Sequence, residues 1–242
     1  MKGSMNMISA EELQVLEQAA QGDPSKLHRL MVRRQFGESL SYVVGKVRFC
    51  GREFCVDRRV YIPNVETEQL VRLLLREMSP AARIIDVGTG SGAIAITIQR
   101  ECPKSMVYGV DIDPNALEVA RANAAKHKAK VRFVESYYLD NVVSPAPDAI
   151  IADIPYGDPH CQLSSIVWND FEQVPRIATF HPDGRLTAYQ ELIESIVKKK
   201  WHTVLYIETG KISKSEVSEI IPVSHKWKYV AMKGYSVTKV YF

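Results

Sequence analysis

Apolar runs and amphipathic stretches alternate along most of the chain after residue 82. The apolar runs predict buried strands at residues 83–87, 106–111, 130–135, 147–152 and 202–208. Apolar residues at helical spacing predict helices at residues 91–101, 114–126 and 187–199. Strands that alternate with helices in this way form a parallel sheet with helices on both faces.

The carboxyl-terminal stretch breaks this alternation. Residues 220–227, 229–230 and 235–242 are typical of β segments, and no convincing helix lies between them. We therefore expect an antiparallel hairpin at the end of the chain. The predicted fold is α/β, with a doubly wound, mostly parallel seven-stranded sheet and an antiparallel carboxyl-terminal strand.

The amino-terminal stretch predicts a short helix followed by a β-hairpin. Ser9 and Glu12 have the spacing of a capping box at the start of the helix. Alternating apolar and polar residues at 43–56 indicate the hairpin. The expected units are an amino-terminal segment and a main domain, residues 1–62 and 63–242.

The composition is typical of a globular protein with one main domain. The chain has 242 residues and a formal net charge of +3, which is too small to favour nucleic acid as a partner. Neither a bilayer-spanning apolar run nor a secretory signal is present, so no membrane partner and a cytoplasmic location are expected. The four cysteines lack metal-ligand spacing, so we expect reduced thiols and no metal. The oligomeric state is left open.

A glycine-rich turn follows the first predicted strand of the main domain, at residues 86–92. In a doubly wound sheet, ligands bind at such turns because they lie at the carboxyl ends of the strands. Asp111 ends the next predicted strand, where an acid can accept the hydrogen bonds of a ribose; it could also cap the following helix. These features fit S-adenosylmethionine or a dinucleotide, although a glycine turn also serves ordinary strand-to-helix connections.

The predicted strand at 147–152 ends at Asp153, which is followed by Ile154, Pro155 and Tyr156. A carboxylate and a backbone carbonyl can accept N–H bonds from a planar nitrogen, on which an aromatic ring can stack. The alternative interpretation is a tight turn with Tyr156 in the core. The long segment that follows, residues 157–184, is expected to form a wall or lid that determines the acceptor.

Three stretches of the sequence resemble motifs of the HemK family, whose members methylate the side-chain amide of glutamine in peptide release factors. Residues 34–45 resemble R-x-x-G-x-P-L-A-Y-I-x-G, residues 61–68 resemble L-I-P-R-P-E-T-E, and residues 86–95 resemble D-x-G-T-G-S-G-A-I-A. The resemblance implies the sheet of the class I methyltransferases and S-adenosylmethionine as cofactor.

The resemblance also implies roles for individual residues. The residues expected to bind the cofactor are Asp86, Gly88, Thr89, Gly90, Ser91, Gly92, Asp111, Ile112, Tyr138 and Asp153. Residues 153–156 occupy the place of the family's N-P-P-Y motif, so the expected substrate-binding residues are Asp153, Ile154, Pro155 and Tyr156. Among these, Asp153, Pro155 and Tyr156 are the predicted catalytic residues.

The sequence departs from the family pattern at several positions. Asp153 and Ile154 replace the asparagine and the first proline of N-P-P-Y, and Asn64 and Val65 replace an arginine and a proline. Tyr137 stands where the family commonly has an acid. Only residues 1–33 precede the first motif, less than the docking bundle of the full-length family, and this would favour a different acceptor.

The sequence therefore predicts a SAM-dependent N-methyltransferase that acts on a planar amide-type nitrogen. Its leading acceptor is the glutamine side chain of a protein such as a release factor. The alternatives are a small molecule with a guanidine, amidine or heteroaromatic nitrogen, and adenine in nucleic acid. A SAM-binding module without activity and a nicotinamide oxidoreductase are the hypotheses from other classes.

Overall fold

The fold is built from a two-stranded and a seven-stranded sheet with helices around them. The computed structural model describes residues 6–155, 174–184, 186–210, 212–232 and 235–242. Its helices are α1 (Ala10–Ala20), α2 (Pro24–Gln35), α3 (Leu40–Val44), α4 (Val65–Glu77), α5 (Ala93–Glu101), α6 (Pro114–His127), α7 (Thr187–Lys199) and α8 (Lys214–Ile220). Its strands are β1 (Lys46–Phe49), β2 (Arg52–Cys55), β3 (Arg83–Val87), β4 (Met106–Asp111), β5 (Val131–Glu135), β6 (Ala149–Ala152), β7 (Val204–Gly210), β8 (Lys226–Ala231) and β9 (Ser236–Tyr241).

The large sheet has the strand order β5-β4-β3-β6-β7-β9-β8. The five strands from β5 to β7 are parallel, whereas β9 is antiparallel to both β7 and β8. The predicted doubly wound sheet with a reversed last strand is therefore confirmed. The central strands β3 and β6 are almost entirely buried, which explains their continuous apolar sequences.

The end of the chain differs from the prediction in one respect. Helix α8 lies between β7 and β8, where no convincing helix was expected. It begins at a capping box made by Ser213 and Glu216, and only Val217 and Ile220 are buried on it. A helix with so few buried positions leaves a weak periodic signal in the sequence.

The amino-terminal stretch contains more helix than its pattern predicts. The capping box of Ser9 and Glu12 is present at α1, and the β1–β2 hairpin lies where alternation indicates it. Helix α2 was not expected, although Asp23 caps it and Pro24 occupies its first turn. Leu30 is its one fully buried residue, so its apolar stripe is narrow.

One buried side chain that joins the hairpin to the main domain is Asn123 of α6. Its Oδ1 accepts the backbone N–H of Cys55 at 2.8 Å, and its Nδ2 donates to the carbonyl oxygen of Cys55 at 2.9 Å. The same Nδ2 donates to the carbonyl oxygen of Ser91 in the glycine turn, also at 2.9 Å. Asn123 thus connects strand β2, helix α6 and the turn that follows β3.

Within the described ranges, no helix is long and apolar enough to cross a membrane. The described residues include three cysteines with free thiols, at positions Cys50, Cys55 and Cys102.

The contacts of Asn123 predict a large loss of stability when its side chain is removed. Asn123→Ala leaves the N–H and carbonyl of Cys55 and the carbonyl of Ser91 without their partner, so we expect the free energy of unfolding to fall by about 2–4 kcal/mol. Urea denaturation measures this change. Asn115→Ala on the exposed start of the same helix is the control, with an expected change of about 0.5 kcal/mol or less. Equal effects of the two substitutions would contradict the connecting role.

Candidate functional site

The glycine turn begins directly after β3 and ends at Gly92, the residue that precedes α5. Gly88 and Gly92 have φ angles of +73° and +78°, a left-handed conformation that favours glycine. A Cβ atom at Gly92 would lie 3.0 Å from Ile96 and 3.1 Å from Ala120, so its absence allows α5 and α6 to approach closely. At Gly88 a Cβ would lie 3.3 Å from the side chain of Ile154. The turn is therefore packed against both the next helix and the residues after β6.

Asp86 lies beneath this turn and is fully buried. Its Oδ2 accepts the hydroxyl of Thr89 at 2.6 Å and the backbone N–H of Ala95 at 3.1 Å. Its Oδ1 has no hydrogen-bond partner among the described residues. Burial is the main reason that the pKa of Asp86 rises to about 7. Asp86 thus supports the turn from below and does not line the open cleft.

Asp111 holds the other side of the turn from the end of β4. Its Oδ2 accepts the backbone N–H of Gly90 at 2.8 Å, and its Oδ1 accepts that of Asp113 at 3.0 Å. Burial raises its pKa above the ordinary value. The cap of α6 is Asp113, whose side chain accepts the N–H of Asn115, so the alternative of Asp111 as the helix cap is wrong.

Asp153 follows the last residue of β6 and is half-buried. Its Oδ2 accepts the hydroxyl of Thr67, from α4, at 2.6 Å. Burial, with a smaller contribution from the charge of Glu66, raises the pKa of Asp153 to about 6, whereas the hydrogen bond from Thr67 acts in the opposite direction. The side chain of Ile154 is buried against the glycine turn.

An aromatic pair forms a third side of the site. The rings of Tyr137 and Tyr138 are 4.7 Å apart and packed edge to face. The hydroxyl of Tyr137 donates to Glu191 of α7, and His181 Nε2 lies 3.2 Å from the same carboxylate oxygen. This contact connects residues 174–184 to α7 beside the site.

These groups surround one cleft of about 390 Å³. Of the residues expected to bind a cofactor, eight line it: Gly88, Thr89, Gly90, Ser91, Asp111, Ile112, Tyr138 and Asp153. Ile154 and Pro155 also line it, whereas Asp86 and Gly92 support the turn from behind. Tyr156 and residues 157–173 of the expected lid lie outside the described residues, and Pro175, Phe180 and His181 from its end line the cleft.

Several lining residues were given no role in the site from the sequence. They include Asn64 and Thr67, which lie in the motif at residues 61–68, and Ser136, which follows β5. The signal that marks the stretch before α4 in the sequence is the resemblance of residues 61–68 to a family motif. The hydrogen bond of Thr67 joins residues 86 positions apart, so no local pattern could indicate it.

The cleft has the properties that an S-adenosylmethionine site requires. Its volume lies within the ordinary range of small-molecule sites, about 300–1,000 Å³. Each oxygen of Asp111 accepts one backbone N–H and keeps lone-pair capacity for a hydroxyl donor, as a ribose requires. The nearby acids Asp86 and Asp153 favour a positively charged ligand. Among the described residues, no group of three or more His, Cys, Asp or Glu side chains could hold a metal ion.

The strand order and the cleft at the carboxyl ends of the strands define a class I methyltransferase fold. Residues 64–195 match the family model described as methyltransferase small domain, which covers more than half of the chain. The chain therefore belongs to this family, and its resemblance to HemK-type methyltransferases is confirmed.

Relatives named release factor glutamine methyltransferase occur in several bacteria. The protein from Koribacter versatilis is 38% identical over 185 residues, which cover 74% of this chain and 63% of the relative. The protein from Enterococcus faecalis is 31% identical over 195 residues, which cover 79% of this chain and 70% of the relative. The chain spans between 50% and 63% of the length of five such relatives.

A solved methyltransferase from Pyrococcus furiosus has the same fold. It is 12% identical to this chain, with a TM-score of 0.59 over 92% of this chain and 98% of the other.

The buried position of Asp86 predicts a pH-dependent contribution to stability. Because its pKa is about 7 in the folded protein and about 4 in an unfolded chain, its contribution is complete below about pH 4 and is lost as the pH rises through 7. Asp86→Asn lacks this titration. We therefore expect urea denaturation to show that wild-type protein loses stability relative to Asp86→Asn between pH 4 and pH 8.

Asp113, the half-buried cap of α6, provides the control for this measurement. Asp113→Asn keeps a capping side chain and should follow the pH dependence of the wild type. A constant difference between wild type and Asp86→Asn across this pH range would show that Asp86 keeps an ordinary pKa.

Proposed function

We propose that this protein transfers a methyl group from S-adenosylmethionine to the side-chain amide nitrogen of a glutamine residue in a protein. A peptide release factor is the leading acceptor. The observation that carries the proposal is that Asp153, at the end of β6, shares one cleft with the glycine turn and Asp111. A group that accepts N–H bonds therefore lies beside a site suited to the methyl donor.

On the donor side, each part of the cleft has a distinct role in the proposal. The turn from Gly88 to Gly92 lies against the methionine part, Asp111 accepts the ribose hydroxyls, and Tyr138 packs on the adenine. S-adenosylmethionine supplies an activated methyl group on a positively charged sulfonium. Much of the rate enhancement then comes from holding the acceptor nitrogen in line with that group.

On the acceptor side, Asp153 is the central residue. A carboxylate oxygen can accept the N–H of a planar amide and so fix the direction of the nitrogen lone pair. Pro155 keeps the backbone after β6 extended, and the predicted role of Tyr156 is to stack on the amide. In contrast to the asparagine of the family motif, Asp153 can also take up a proton.

The comparisons support this choice of acceptor through the names of the relatives. Proteins called release factor glutamine methyltransferases are 31% to 41% identical to this chain over the matched regions. The family model begins at residue 64, which supports a boundary between an amino-terminal segment at residues 1–62 and a catalytic domain that begins at residue 63.

The role of Asp111 predicts the effect of its substitution on cofactor binding. Asp111→Asn removes one of the two acceptor oxygens, so the ribose hydroxyls compete with the N–H groups of Gly90 and Asp113 for one acceptor. We expect calorimetry to show that S-adenosylhomocysteine binding weakens by about 1–3 kcal/mol. The control Asp23→Asn, at the exposed cap of α2 and outside the cleft, should bind with wild-type affinity. Unchanged affinity in Asp111→Asn would place the ribose elsewhere.

The acceptor itself is tested by mass spectrometry. A bacterial release factor incubated with the protein and methyl-labelled donor should gain one or more methyl groups on a glutamine, and the gain should be absent with Asp153→Ala. The matched control is the same release factor with that glutamine changed to alanine. Transfer of label to a small-molecule pool, with none to the release factor, would overturn the glutamine assignment.

A second acceptor class is favoured by the acids around the cleft. Asp86, Asp111, Asp153 and Glu66 all lie at or beside it, and this charge suits a cationic acceptor such as a guanidine or amidine. The small-molecule arm of the same experiment detects such an acceptor.

A further inference from the structure

Thr67 lies between two side chains, and the oxygens of both are close to its hydroxyl. Its Oγ1 is 2.6 Å from Asp153 Oδ2 and 2.8 Å from Asn64 Oδ1. Asn64 Oδ1 also accepts the backbone N–H of Thr67 at 2.9 Å, as the cap of α4. This N–H bond requires that the atom facing Thr67 is the amide oxygen of Asn64 and not its nitrogen.

Two arrangements of these hydrogen bonds are possible, and they differ by one proton on the carboxyl group of Asp153. A hydroxyl donates one hydrogen bond and accepts others. When Asp153 is ionised, the hydroxyl of Thr67 donates to it, and no proton lies between Thr67 Oγ1 and Asn64 Oδ1. When Asp153 is neutral, it donates to Thr67, and Thr67 donates to Asn64. The three residues therefore provide hydrogen bonds for either charge state of Asp153.

We propose that Thr67 and Asn64 are positioning residues that let Asp153 take up the proton released by the acceptor nitrogen, an inference that rests on the methyl transfer proposed above. The nitrogen forms a bond to the methyl carbon while the carbon–sulfur bond breaks, and sulfur keeps the electron pair of that bond. The proton that leaves the nitrogen goes to the ionised Asp153. The hydroxyl of Thr67 then turns from Asp153 to Asn64, and Asp153 later returns its proton to water.

The groups around Asp153 make this exchange feasible near neutral pH. The titratable or charged side chains on the elements packed around it are Glu66 on α4, Asp86 on β3, Glu208 on β7, and Asp111, Arg59 and His181 across the cleft. Burial, with a smaller contribution from the charge of Glu66, raises the pKa of Asp153 to about 6. Asp153 is then mainly ionised at neutral pH, yet it is a stronger base than an exposed carboxylate.

The same contacts bring together two departures from the family motifs. Asn64 replaces an arginine and Asp153 replaces an asparagine, whereas Thr67 matches the family pattern. Both replaced residues contact the hydroxyl of Thr67. An asparagine at position 153 could not take up a proton. The contact between Thr67 and Asn64 can therefore support proton uptake only when residue 153 is an aspartate. The inferred substrate class is a planar nitrogen that carries at least one hydrogen, such as a primary carboxamide.

The first test measures the titration of Asp153 directly. In protein labelled with ¹³C at aspartate carboxyl groups, Asp153→Asn identifies the signal of Asp153. Thr67→Val removes the donor to the ionised form, so the titration midpoint should rise by about 1–2 pH units. Asn64→Gly removes the competing acceptor, so the midpoint should fall by about 0.5–1 pH unit. Glycine is chosen because it replaces asparagine at a helix cap at little cost.

Two controls separate this role from a general structural effect. Thr67→Ser keeps the hydroxyl and should titrate as the wild type does. In the Thr67→Val background, Asn64→Gly should produce no further shift, because the hydroxyl that joins the two residues is gone. Midpoints that stay unchanged, or that move in the same direction in Thr67→Val and Asn64→Gly, would overturn the inference.

The second test asks whether the transfer uses this titration. The acid limb of kcat/KM for methyl transfer should move to higher pH in Thr67→Val and to lower pH in Asn64→Gly. Shifted titrations with an unshifted activity profile would overturn the role of Asp153 as proton acceptor. The titration needs neither the methyl donor nor the methyl acceptor. It therefore tests the role of the Thr67–Asn64 contacts even if glutamine is not the methyl acceptor.

Discussion

The glycine turn after β3 is held between the buried carboxylate of Asp86 and the half-buried carboxylate of Asp111, and the cleft is built around it. Asp86 accepts donors of Thr89 and Ala95 from below, and Asp111 accepts the N–H of Gly90 from the side. Carboxylates thus replace water as partners of this backbone. The arrangement has an electrostatic cost, because the charges of Asp111 and Asp153 further raise the pKa of Asp86. A ligand with a positive charge and with hydroxyl groups that donate hydrogen bonds would reduce that cost. This explains why the rigid turn and the site for the methyl donor coincide.

A second constraint comes from Asn123, which makes the turn part of a larger unit. Its amide satisfies both backbone groups of Cys55 and the carbonyl of Ser91. Strand β2 and the glycine turn are therefore held by one side chain of α6. Because α5 and α6 are also in close contact at Gly92, a shift of either helix would displace the turn. The hairpin thereby contributes to the geometry of a cleft that it does not line.

The parts of the fold that local sequence determines were predicted well. Strands such as β3 and β6 are continuous apolar runs because both of their faces are buried, and this pattern needs no knowledge of the partners. Helix α8 escaped prediction because it buries only two residues, and α2 because its buried stripe is one residue wide. The acceptor side was only partly visible for a different reason. Asp153 stands out after its strand, but its contact with Thr67 exists only in the folded chain.

The replacement of asparagine by aspartate changes the charge balance of the proposed reaction. The cleft begins with a positive sulfonium and a negative Asp153, and it ends with a neutral thioether and a neutral acid. Opposite charges attract strongly at low dielectric, which stabilises the starting pair, so the transfer needs a compensating interaction in the product state. The contact of Thr67 with Asn64 provides this interaction. Neutral Asp153 can donate its proton to Thr67 Oγ1, and the hydroxyl of Thr67 can then donate to Asn64 Oδ1. An asparagine would keep the same charge throughout and would have to release the proton of the nitrogen directly to water. The aspartate therefore couples the donor half of the cleft to the acceptor half through charge as well as through shape.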